Sequence, residues 1–106
     1  MDSVVYLIKN IKDKTVLYLP YSSIRCLKAF LMGFYYSNQK MSNEFDLLEH
    51  EFTKWIHERY KIDNHSWDKT IEFFSHNEFE ALDNFFNLFE EFIKSRQSDP
   101  DQFVPE

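Results

Sequence analysis

Twelve Phe, six Tyr and two Trp stand in a chain of 106 residues that has one Gly, and most of these rings recur at the three- and four-residue intervals of a helix face. The run Phe79, Leu82, Phe85, Phe86, Phe89, Phe92 and Ile93 is the clearest case. At 100° per residue its apolar side chains cover roughly half the circumference. Burying one Phe contributes about 1.5–3 kcal/mol, so such a helix can dominate a core. With so little glycine for tight turns, the chain is predicted to be all-α, a single-domain bundle of about five helices with an aromatic core. Its length suits one core. Residues 1–94 are expected to form the bundle and residues 95–106, polar with two prolines, a mobile tail.

Helix punctuation supports this reading. Val4, Leu7, Ile8 and Ile11 follow the i, i+3, i+4, i+7 rule, which predicts a first helix over 3–12 capped by Asp2 or Ser3. Val4-Val5-Tyr6 and Thr15 to Leu19 are also β-prone, so a hairpin turning at Lys12-Asp13-Lys14 stays open as an alternative. Pro20 stops what precedes it, and Ser22 or Ser23 caps a second helix to about Ser37, with Ile24, Leu27, Leu31, Phe34 and Tyr35 on one face. Gly33 lies inside that helix, where glycine costs about 1 kcal/mol relative to Ala, so a close helix approach is expected there. Ser42 or Asn43 caps a third helix to Tyr60, buried through Phe45, Leu48, Phe52, Trp55 and Ile56, with Arg59 on the edge of that face. After a loop holding Ile62, Ser66 caps a short fourth helix whose Trp67, Ile71 and Phe74 face inward. Asn77 and Glu80 have capping-box spacing at the start of the fifth.

Charge is unevenly placed. Residues 1–40 carry six Lys or Arg and two acids, a balance of +4; residues 41–106 carry six and sixteen, a balance of −10, which together give −6. Affinity for DNA or RNA rests on Lys and Arg displacing phosphate counterions, so direct nucleic-acid binding is not expected. The longest apolar run, Ala29 to Tyr36, falls well short of the ~20 residues of a membrane span. No basic segment followed by an apolar stretch marks a secretory signal, so a cytoplasmic location is expected.

Catalytic patterns are lacking in the sequence. His50 and His57 are seven apart, about 10 Å along a helix axis, too far to share one ion without other ligands. No metal site and no cofactor are expected. Cys26 lies among apolar residues and reads as a small core hydrophobe. Nothing polar beside it activates a thiol. Phosphate-binding loops need glycines that this chain lacks. Neighbouring carboxylates such as Glu90 and Glu91 point apart on a helix. Trp55 and Trp67 keep the helical period and are assigned to the core.

The residues Tyr18-Leu19, Ser22-Ser23-Ile24, Leu27, Ala29-Phe30-Leu31, Gly33-Phe34, Phe52, Trp55-Ile56, Arg59-Tyr60, Ile62, Ser66-Trp67, Ile71, Phe73-Phe74-Ser75, Glu78, Glu80-Ala81-Leu82, Phe85-Phe86, Leu88 and Glu91-Phe92 resemble a group of small all-helical bacterial proteins. That group is similar to immunity proteins encoded beside secreted antibacterial toxins. Pro20 departs from it, standing where the group has a glycine. The resemblance implies a non-enzymatic protein that neutralises a cognate toxin by occluding its active site or substrate-binding surface. A toxin that cuts nucleic acid must be basic, so an acidic neutraliser is steered to it quickly. The expected contact residues are Glu80, Asp83, Asn87, Glu90 and Glu91 of the fifth helix, with Glu51 and Glu58 of the third as second choice. A scaffold with a different protein partner, or a bundle binding a small molecule between its helices, are the other readings.

Overall fold

Helical periodicity governs nearly every element of the computed structural model, which describes residues 2–98. In order these are α1 (Asp2–Asp13), α2 (Thr15–Tyr18), α3 (Ile24–Ser37), a 3₁₀ turn (Gln39–Met41), α4 (Ser42–Asp46), a π-helical segment (Leu47–Phe52), α5 (Thr53–Tyr60), α6 (Trp67–Phe73) and α7 (Glu78–Ser98). The protein is an all-α bundle with a buried aromatic cluster. The hairpin alternative falls, since the described residues contain no strand and Thr15–Tyr18 form a helical turn. α7 runs to Ser98, four residues into the expected tail; the rest of that tail, 99–106, lies outside the described residues. So do the side chains of Asp2, Ser3 and Ser42, to which caps were assigned.

Capping chemistry sets the helix starts. The Ser23 hydroxyl oxygen accepts from the Arg25 amide at 3.1 Å, while its own proton goes to Glu78 at the start of α7. Ser23 is fully buried, so this bond fixes α3 to α7. At α7 the Asn77 side chain accepts from the amides of Phe79 and Glu80 at 2.9 and 2.8 Å. Glu80 does not close the expected capping box on Asn77. It accepts instead from the His76 amide at 2.8 Å. Ser66 occupies the cap position of α6, but its hydroxyl donates to Asp68 at 2.7 Å rather than serving a backbone amide.

The expected third helix is continuous but not uniform. An ideal helix that buries Phe45, Leu48, Phe52 and Ile56 would turn Leu47 away from the core, yet Leu47 is buried with them. The π turn resolves the conflict, because a wider turn absorbs one extra residue and brings both leucines inward. Thr53 supports it: its hydroxyl donates to the Leu48 carbonyl, five residues back, at 3.0 Å. α5 then ends on Lys61, whose φ of 61° is left-handed, a position that ordinarily favours glycine. The turn is held by the Ile62 amide donating to the His57 carbonyl at 3.2 Å and by His57 Nε2 donating to the His65 carbonyl at 2.6 Å.

Phe52 is the centre of the core. It is fully buried, and its ring meets Trp55, Trp67, Phe85, Phe89 and Phe92 at centroid distances of 5.3 to 6.1 Å. Three of these pairs, with Trp67, Phe85 and Phe89, are edge-to-face, a favoured arrangement that adds about 0.5–1.5 kcal/mol beyond area burial.

Three inward assignments need correction. Phe79 is 53% exposed, since side chains lean toward a helix N-terminus and a residue in the first turn of α7 overhangs the end of the bundle. Phe74 is 47% exposed: the backbone leaves the helix at this residue, so the helical rotation no longer aims it inward, and it stacks on Tyr60 at 4.6 Å. Gly33 is exposed, and a Cβ there would meet nothing within 4 Å. No helix approaches it.

Two stability measurements follow from this packing. Phe52→Ala is expected to lower unfolding free energy by about 3–5 kcal/mol, read as a lower urea midpoint. Gly33→Ala is expected to raise it by about 0.4–1 kcal/mol, because its φ is ordinary and Ala restricts the unfolded chain.

Candidate binding face on α7

α7 packs its ring stripe against α3 and α6 and turns Glu80, Asp83, Asn87, Glu90 and Glu91 outward within about 100° of one another. The five expected residues therefore share a face. They do not share an environment. Glu90 is ion-paired with Lys12 of α1, and Glu91 accepts from Arg59 of α5 at 2.8 Å. Glu80 bridges the His76 amide and its Nδ1, the latter at 2.9 Å. The side chains of Asp83 and Asn87 are exposed and have no hydrogen bond or ion pair within the described residues.

The second-choice residues divide in the same way. Glu51, on the π segment, lies 3.6 Å from Arg96 of α7, and with Arg59–Glu91 it forms a seam where α7 runs antiparallel to the π segment and α5. Glu58 is exposed, with no such partner among the described residues. Two further cations bind α3 to its neighbours. Arg25 donates to Glu72 through Nε at 3.1 Å, and Lys28 sits 3.4 Å from both Glu49 and Asp68. The pairs made by Arg25, Lys28, Arg59 and Arg96 join residues far apart in sequence, so spacing could not reveal which expected contact residues they hold internally.

Hydrogen bonding sets the titration behaviour. The Lys12 ammonium holds Glu90 below the ordinary carboxylate range, and the Arg25 guanidinium does the same for Glu72. Glu80 is lowered first by the His76 amide and then by its ring, while the hydrogen bond to Glu80 raises His76. The His76–Glu80 attraction thus needs Glu80 ionised and His76 protonated. It is present in mildly acidic solution, weakens below as Glu80 takes up a proton, and is lost above as His76 gives one up.

Exposed apolar side chains on α2 were not anticipated. Val16 and Leu17 of α2 are 84% and 73% exposed. The turn they sit on begins at Thr15, which shares a notch with Asp83 and Asn87. A four-residue helix has no second turn with which to bury a face; the absence of any 3.6-residue repeat over Thr15–Tyr18 was the available signal. Phe79, one turn before Asp83, adds a ring at the other end.

A separate cavity of about 300 Å³ lies between α3 and the π segment, lined in part by Tyr35, Phe45, His50 and Trp67. The Trp67 Nε1 atom is buried and without a hydrogen-bond partner. Cys26 is half-buried against the core. Among the described residues no group of three or more His, Cys, Asp or Glu side chains could hold a metal ion, and no helix is long and apolar enough to cross a membrane. No protein family, curated protein or solved structure was found to match the chain.

Replacing Glu80 with Gln is expected to lower the His76 titration midpoint, followed by NMR of the imidazole protons. An unchanged midpoint would mean that the contact does not form in solution.

Proposed function

We propose that this chain is a non-enzymatic, cytoplasmic immunity-type protein that binds a basic protein toxin, such as a nuclease, through the outer face of α7 and covers the surface the toxin uses. One observation carries the reading. Lys12, Arg25, Lys28, Arg59 and Arg96 are each engaged with an internal acid, whereas Asp83 and Glu58 remain exposed without one among the described residues. The overall charge of −6 favours the approach of a cationic partner. The exposed pairs of Glu90 and Glu91 are held in water and screened by salt, so a partner's cations can compete for them. Val16, Leu17 and Phe79 supply the apolar contacts that most interfaces place beside their charged groups.

The unpaired Trp67 Nε1 favours a second reading, a small molecule with a hydrogen-bond acceptor in the α3 cavity. Lys28, the cation lining that cavity, is already shared by Glu49 and Asp68, which weakens it.

Co-expression with the protein encoded beside this one, followed by affinity capture and a growth-rescue assay, tests the proposal. Wild-type chain is expected to capture that neighbour and restore growth. The combined Asp83→Lys and Glu58→Lys variant is expected to stay folded and lose at least about 100-fold in affinity, as two unfavourable charge contacts replace favourable ones. Rescue that survives both reversals would move the contact elsewhere; capture without rescue would favour a scaffold.

A further inference from the structure

Between α7 and the residues Lys12, Thr15 and Ser22 opens a notch of about 350 Å³ that contains the two members of the α7 face whose side chains lack internal partners, Asp83 and Asn87. It is rich in hydrogen-bond acceptors. An ionised Asp83 offers only acceptors, and Asn87 and Ser22 each add an oxygen. Thr15 donates its hydroxyl proton to the Ile11 carbonyl at 2.7 Å, which leaves its oxygen free to accept. The notch also contains Lys12, but that ammonium is already engaged by Glu90. Leu82 and Phe86, both buried, form an apolar floor.

An occupant suited to these walls brings several donors, positive charge and an aliphatic stem. Ammonium is a compact point charge with three donors, whereas guanidinium has five in a planar fork and is more weakly hydrated. We propose that the notch receives an arginine side chain of the protein partner, its guanidinium donating to Asp83 and Asn87 and its stem lying on Leu82 and Phe86. This assignment rests on the reading of α7 as the binding face and makes that reading specific.

The test titrates the full chain with N-acetyl-argininamide, its neutral citrulline isostere and N-acetyl-lysinamide, following the Asn87 side-chain amide by NMR. The arginine probe is expected to bind at least about tenfold more tightly than citrulline, since charge-assisted hydrogen bonds are roughly twice as strong as neutral ones. Lysine should fall between them. Asp83→Asn, an exposed and isosteric change, should remove the preference for arginine. Equal binding of citrulline, or shifts centred on Glu58 and Glu91 instead, would overturn the assignment. If the neighbour-encoded partner is captured equally by wild type and Asp83→Asn, the notch is wrong and the partner reading stands. If arginine binds as expected but no partner is captured, the partner reading fails and the notch stands.

Discussion

The Phe52 ring is the contact on which the rest of the bundle depends. It lies at the end of the π segment and touches rings from α5, α6 and α7, so the elements that position the outer face of α7 meet at one side chain. Trp67 and Phe85, 5.0 Å apart, and Phe85 and Phe89, 5.6 Å apart, extend the cluster. The extra residue of the π turn belongs to the same arrangement. It lets Leu47 and Leu48 both close the core while Phe52 keeps its place at the centre.

An aromatic core also decides where the cations go. Lys28 lies 5.0 Å from the centroid of Trp67, Arg59 lies 5.4 Å from that of Trp55, and Arg96 lies 5.5 Å from that of Phe92. Each of these three also contacts an acid on another element. Ring faces carry negative electrostatic potential and long basic stems cover apolar surface, so rims of this kind draw Lys and Arg inward. Acids have no such attraction to a ring face. Lys28, Arg59 and Arg96 thus close the rim of the core and tie its elements together, while Asp83 and Glu58 keep no internal cation among the described residues.

Much of this was legible from side-chain spacing. Leu27, Leu31, Ile56, Phe85, Phe89 and Phe92 were assigned to the core by period alone, and the bundle buries or nearly buries each of them. Errors and omissions fell where local period is not in control. Leu47 depends on a π turn that tertiary packing selects, Phe74 and Phe79 stand at helix ends, and Gly33 occupies open space that its neighbours in sequence do not reveal. The acidic face was legible as a face, because five residues within three turns share one side. Which of its members are held internally was not, since Lys12 and Glu90 lie 78 positions apart and Arg59 and Glu91 lie 32 apart. The notch at Asp83 was equally hidden, as its lining comes from Lys12, Thr15 and Ser22 as well as from α7, some 60 positions or more away in sequence.

The most direct measurement of the claim that displayed carboxylates recruit a basic partner is the association rate with the neighbour-encoded protein as a function of ionic strength. A rate of about 10⁸ M⁻¹s⁻¹ at low salt that falls steeply as salt rises, while the dissociation rate changes little, is the predicted result. A rate near 10⁵–10⁶ M⁻¹s⁻¹ that is indifferent to salt would contradict it, because the outward charge would then play no part in bringing the two proteins together.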